Sequence, residues 1–191
     1  MTDDGNPFDV WQKLKKLGIR TYVFRARHIT DLPRAIRDLG KALGISCRAS
    51  RKTAKMETAF RGYEAKRKNS LPGPPMKRAI FIVHQEPLVV AGPGTVFDDA
   101  LKMIGLQNIA ADSGSSYPKY SLGEILRRSP DIIFVGQGSM TGNQANNLLK
   151  KLNGLDAVRK GHVYYTSELL YRMGPRIITG IREMERCFQT Y

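Results

Sequence analysis

No regular helix or strand can run through Leu71-Pro72-Gly73-Pro74-Pro75, because three prolines lack a backbone N–H and fix φ, and the glycine adds freedom between them. The chain follows different rules on its two sides. Upstream, Arg48 to Asn69 holds no proline and a single internal glycine, Gly62. That predicts a helix of roughly 20 residues, about 30 Å long at 1.5 Å per residue. Its apolar stripe is thin. Ala49, Met56, Ala59, Phe60 and Tyr63 form a narrow packing face, which suits a connecting strut better than a core helix.

Downstream, short apolar runs alternate with helical patterns. Strands are expected at Ala79–Val83, Leu88–Ala91, Asp131–Val135 and Val163–Thr166, with helices at Val96–Ile104, Leu122–Arg128, Asn146–Leu152 and Pro175–Phe188. Short β runs separated by helices predict an α/β fold with a parallel sheet. Ahead of the strut, Phe8, Trp11, Leu14 and Leu17 mark a helix stopped by Gly18, and Thr21–Phe24 reads as a short strand. A second helix starts at Thr30/Asp31 with Pro33 in its first turn and ends at Gly44. This is an α–β–α fragment and not a domain. The resulting division is 1–46, then the strut at 47–70, then the α/β unit at 71–191.

At 41% hydrophobic residues the chain is too apolar to be disordered, and no stretch reaches the roughly 18 apolar residues of a membrane span. The opening MTDDGNPFDV lacks the basic and apolar regions of a secretory signal, which reads as cytoplasmic for the chain as written. Net charge is +14, and between Arg48 and Lys68 eight basic residues face only Glu57 and Glu64. Such a run can bind nucleic acid through phosphate contacts, but a solvated helix face is the more ordinary outcome. Cys47 and Cys187 have no CxxC partner and no neighbouring histidines, so no metal site is expected.

Four constellations could carry chemistry. Gly92-Pro93-Gly94-Thr95 sits between a strand and a helix, but it is neither GxGxxG nor a Walker loop, and a plain turn is the better reading. His84 and Glu86 share one face if the strand runs through them, and they stand where parallel sheets bind ligands. In Ser115–Ser121, Tyr117 is expected to present a flat surface to a planar or macrocyclic ligand, while Tyr120 folds back onto the core. Glu168 and Arg172 follow the last strand, either as ligand contacts or as a surface salt bridge. A small α/β enzyme using His84 as base lacks a partnered nucleophile or metal set, so no catalytic residue is named.

Three stretches in order, GNPFDVWQKLKKLGI, FIVHQEPLVVAGPGTVFDDALKMIGLQNIAADSGSSYPKYSLGEILRRSPDIIFVG and YYTSELLYRMGPRIITGI, resemble the cobalamin- and iron-chelate-binding proteins of ABC importers, a helical-backbone class of substrate-binding proteins. The resemblance implies two α/β lobes joined by one long helix, a chelate held between them, no cofactor, no enzymatic activity, and docking on a membrane permease outside the cytoplasm. It makes 1–46 a remnant of the N-terminal lobe, 47–70 the backbone helix and 71–191 a Rossmann-like C-terminal lobe. Cobalamin is the preferred ligand, with haem or a ferric siderophore as alternatives. It implies ligand-facing roles for His84, Leu88, Tyr117, Glu168 and Arg172, to which the spacing from His84 adds Glu86 as a ligand-binding candidate. Relatives carry a docking carboxylate where this chain has Gly123, which leaves Glu124, one position along, as the substitute. Most of the N-terminal lobe is absent from the match, so self-association of two chains is one way to complete a cleft.

Overall fold

The computed structural model describes residues 8–69, 76–136 and 142–189. Leu71–Pro75, and the boundary expected there, lie outside the described residues. Helix α1 (Phe8–Lys16) ends at Gly18, which adopts φ +69°. A 3-10 turn at Ile29–Asp31 leads into α2 (Leu32–Ala42), with proline in its first turn. The strut forms as α3 (Ser46–Asn69). Its buried face is Ala49, Thr53, Met56, Phe60 and Tyr63. Thr53 replaces Ala59 in that stripe, its hydroxyl donating to Ser50 O at 3.0 Å so that the polar group is satisfied by its own helix. Helices α2 and α3 meet closely because Gly40 has no side chain, and a carbon added there would lie 2.3 Å from Ala49 Cβ.

The sheet contains β1 (Arg78–Gln85), β2 (Leu88–Val90), β3 (Gln107–Asn108), β4 (Ile132–Gly136) and β5 (Val163–Thr166). Strands run in the order β2-β1-β4-β5, with β3 also pairing β1. Pairing is parallel for β1 with β3, β1 with β4, and β4 with β5. Between them lie α4 (Val96–Met103), α5 (Leu122–Arg128), α6 (Gly142–Lys151) and α7 (Asp156–Arg159), and α8 (Ile177–Gln189) closes the chain.

Alternation along the strands sorts two cores. Ala79, Phe81, Ile132 and Phe134 face a cluster completed by α2, α3, α4 and α8, through Leu32, Met56, Phe97 and Ile181 among others. Ile80, Ile82, Ile133 and Val135 face the opposite cluster with Ile125, Leu148, Leu152 and Ala157. Each fully buried Ile, Val, Leu, Phe or Met side chain among them stabilises the fold by about 1.5–3 kcal/mol before entropy is subtracted. The segment before α2 is tied to this body by Asp99, which accepts from Ile29 N at 3.0 Å and lies 3.1 Å from His28 Nδ1.

Three expectations need correction. Thr21–Phe24 is extended but forms no strand, with only Phe24 as a bridging residue. Its side chain packs against the first cluster, and hydrophobic burial alone does not supply the ladder partners a strand needs. The second strand is antiparallel to β1, in a hairpin too short for a helical crossover. Finally, β1 ends at Gln85 and its register breaks between Ile82 and His84, so Glu86 lies in the turn and does not share a strand face with His84.

Candidate functional site

In a parallel sheet all strands deliver their last residues to one edge, so the loops leaving that edge are the place to look for a site. Among the described residues they are the β1–β2 turn and the segment after Thr166. At the first, His84 is exposed and its Nδ1 lies 3.1 Å from Pro87 O. Glu86 is exposed, whereas Leu88 is buried and belongs to the second core. Glu86 and Leu88 line a cavity of about 210 Å³ with Tyr120, Leu122, Asn147 and Lys151, and His84 is not part of its lining.

The tyrosine–proline loop lies along β2, joined to it by backbone hydrogen bonds and a single antiparallel bridge between Val89 and Lys119. Val90 N donates to Pro118 O at 3.1 Å, Tyr120 N to Leu88 O at 3.0 Å, and Gly92 N to Ser116 O at 2.8 Å. Gly92 is required by this approach, since a side-chain carbon there would lie 2.3 Å from Ser115 O. Anchoring on both sides leaves Tyr117 at the tip, 50% exposed. Tyr120 turns inward as expected of it, packing on the second core beneath the Arg128 guanidinium, 5.3 Å from the ring centre. Burial raises its phenol pKa, and its hydroxyl has no hydrogen-bond partner among the described residues.

Tyr171 is the residue that sequence reasoning missed. Its ring stands edge-on to Phe97 at 5.0 Å and covers the end of β4, where a carbon added to Gly136 would overlap the hydroxyl at 1.7 Å. The available signal was a glycine closing an otherwise apolar strand, which marks a close approach. The Tyr171 hydroxyl and Thr166 Oγ1 are buried and have no hydrogen-bond partner among the described residues. Burial pushes the Tyr171 pKa up to about 12, with further contributions from Tyr117 and Glu168. Glu168 and Arg172 are both exposed, and they form no ion pair with each other.

The Gly92–Thr95 loop spends its polar groups on its own chain. Gly94 N donates to Asp98 Oδ2 at 3.2 Å and Thr95 Oγ1 to Gly92 O at 2.9 Å. The fully buried Asp98 also accepts from Lys102 Nζ at 2.7 Å and Asn108 Nδ2 at 3.0 Å. A plain turn therefore describes the loop better than an anion site. Glu124 is held by Arg127 at 2.8 Å and by Arg128, which also grips Asp112 at 2.7 Å and Ile109 O. Hydrogen bonds from Arg128 draw the pKa values of both Glu124 and Asp112 down, and the two carboxylates raise that of Arg128. Among the described residues no group of three or more His, Cys, Asp or Glu gathers to hold a metal ion, and no helix is long and apolar enough to cross a membrane.

The sequence profile described as periplasmic binding protein matches residues 7–169. A vitamin B12-binding protein of Vibrio parahaemolyticus is 21% identical over 187 residues, covering 97% of this chain and 66% of that protein. A cobalamin-binding protein of Halobacterium salinarum is 27% identical over 190 residues, covering 92% of this chain and 49% of that protein. The chain thus spans about half to two thirds of the length of these relatives. Among solved structures, the periplasmic haem-binding protein of Roseiflexus in its apo form superposes with a TM-score of 0.81 at 21% identity, over 99% of this chain and 74% of that one. At that identity the likeness speaks for the fold alone. None of these relatives is named for nucleic-acid binding, and the reading of Arg48–Lys68 as a nucleic-acid helix gains no support from them.

Proposed function

This chain belongs to the periplasmic binding protein family, and we propose that it forms one wall of an extracytoplasmic carrier that holds a metal chelate, of corrinoid, haem or ferric-siderophore type, for an ABC importer. The observation that carries this reading is the family match over residues 7–169, together with Tyr117 half exposed at the tip of a loop anchored on β2. An exposed aromatic offers a flat face, and buried hydroxyls at Thr166 and Tyr171 with no partner among the described residues offer polar handles, both usual components of a small-molecule site. Relatives named for vitamin B12, cobalamin and haem supply the class of ligand. In this reading Glu86, Leu88 and His84 flank the ligand from the β1–β2 turn, and Arg172 contributes from the segment after β5. Residues 71–191 act as the ligand-bearing lobe, 47–70 as the backbone helix and 1–46 as part of the opposite lobe.

No reaction is assigned, because a carrier binds and releases its ligand unchanged. Docking to the permease is proposed for Glu124, which must then exchange its internal arginines for those of a partner. Titration of the chain with cyanocobalamin, haemin and a ferric tris-catecholate, followed by chelate absorbance and calorimetry, tests the proposal. Saturable binding of at least one without chemical change is expected, and failure to bind all three would sink it.

A further inference from the structure

The elbow between α2 and α3 carries a surface of mixed character that the sheet-edge site does not use. Leu43 and Ile45, on either side of its Gly44, are 62% and 46% exposed. They line an apolar groove of about 340 Å³ between the two helices with Ile36, Leu39 and Ala49, and Arg48 and Lys52 stand in the same lining. Arg48 and Lys52 also line a second groove, between α3 and the start of α8, where Arg51, Lys55 and Arg182 join them. The two grooves therefore share a border, with apolar side chains on one side and cations on the other.

These charges are not answered from within the chain. Among the described residues neither groove is lined by a carboxylate, and the four cations of α3 are exposed and form no ion pair. Of the acids on the three helices, Glu57 is taken by Arg37, Asp38 by Lys41 at 3.7 Å, Glu183 by Ser167 at 2.6 Å and Glu185 by Lys66 at 2.6 Å. Helix electrostatics does not favour the arrangement either. The first turn of a helix carries partial positive charge, yet α3 opens with no acid there and with Arg48 in its place. A merely solvated cationic face leaves that repulsion standing. An anion relieves it, and its attraction grows with every cation it approaches.

The chemistry of the occupant follows from both grooves together. A free phosphate leaves Leu43 and Ile45 in water, and a neutral lipid leaves the cations repelling one another. An anionic amphiphile satisfies both. We infer that the elbow and the first half of α3 dock on the surface of an anionic phospholipid bilayer. Leu43 and Ile45 enter the boundary between headgroups and acyl chains, while Arg48, Arg51, Lys52 and Lys55 meet the lipid phosphates. Long arginine and lysine stems suit that border, because they lie along apolar surface while their charges reach out of it. The inference uses none of the residues proposed for the chelate, so the two stand or fall separately.

The test is cosedimentation of the full chain with vesicles of phosphatidylcholine alone and of an equal mixture of phosphatidylcholine and phosphatidylglycerol. Binding to the anionic vesicles should be about tenfold or more tighter, and should weaken as salt rises from about 50 to 500 mM. Two cations at about fivefold each make the double variant Arg51→Glu, Lys55→Glu bind about twentyfold or more weakly. Its urea midpoint should not move, because both side chains are exposed and unpaired among the described residues. The variant Leu43→Ser, Ile45→Ser should lose about fivefold or more with the cations intact. Equal binding to both kinds of vesicle, or none to either, would overturn the inference, as would unchanged binding by either double variant. Release from the vesicles by equimolar tripolyphosphate would overturn it in favour of a soluble polyphosphate, and release by poly-L-glutamate at equal charge in favour of an acidic protein.

Discussion

Thr95 and Ser121 cap α4 and α5 in the same way, each hydroxyl accepting the amide of a carboxylate residue three positions on, Asp98 at 3.1 Å and Glu124 at 3.0 Å. Beyond the cap the two helices part. Phe97, Ala100 and Leu101 drag α4 against the sheet, so Asp98 is carried inside and becomes the hub of a network joining the Gly92–Thr95 loop to β3. Helix α5 buries only Ile125, and Glu124 stays at the rim, gripped by arginines but within reach of solvent. The same capping grammar thus yields a structural carboxylate or a presentable one, depending on how many apolar residues follow it.

Substitution should separate the two. Asp98→Ala leaves Gly94 N without its acceptor and the buried Asn108 with one bond fewer, and should cost about 3 kcal/mol in urea unfolding. A loss no larger than that of a surface mutation would break the contrast. Gly92→Ala drives a carbon into Ser115 O; it should cost about 1–3 kcal/mol and weaken chelate binding by displacing Tyr117. Next in size, Thr95→Ala is expected to cost about 1 kcal/mol, with Ser121→Ala costing less because α5 is shorter and more exposed. Glu124→Gln should leave the urea midpoint nearly unmoved, while reducing stimulation of a reconstituted importer if Glu124 is the docking group.

The smallest effects are those of pH. Glu124 and Asp112 have folded pKa values below their unfolded ones, so what they contribute is whole above the ordinary carboxylate range near 4 and is lost as pH falls through the depressed values. Replacing Arg128 with methionine should flatten that acid limb. At the alkaline end, Tyr63 and Tyr171 should resist ionisation until about pH 12, visible as a late step in tyrosinate absorbance. Stability tied to their neutral forms is complete below about 10 and falls as pH rises through 12.

Much of this molecule is legible in its sequence where period and punctuation agree. Leu122–Arg128 and Val163–Thr166 form at the expected residues, and the opposed fates of Tyr117 and Tyr120 follow from one lying at a loop tip and the other next to an apolar helix start. Long-range pairing was harder to foresee. Leu88–Val90 has the composition of any buried strand, and only its short separation from β1 hints that it must turn back antiparallel. Thr21–Phe24 has strand-like residues but finds no ladder, and Glu86 sits in a turn because the strand ends one residue earlier. Around the candidate site, the exposure of Tyr117 was readable from its place at a loop tip, whereas the burial of Tyr171 was not, since it depends on a contact with Gly136 far away in sequence.

The backbone bonds by which the tyrosine–proline loop lies along β2 have a consequence for how such a chain can change. Val90 N and Leu88 O are the groups through which that border of the sheet would recruit a strand from another molecule, and the loop occupies both. The segment that presents Tyr117 is therefore also a guard against aggregation. Residues at its tip can be exchanged without touching these bonds, but inserting or deleting one would shift the register and unseal the border. Diversification at this position is expected through side-chain identity, with loop length held fixed.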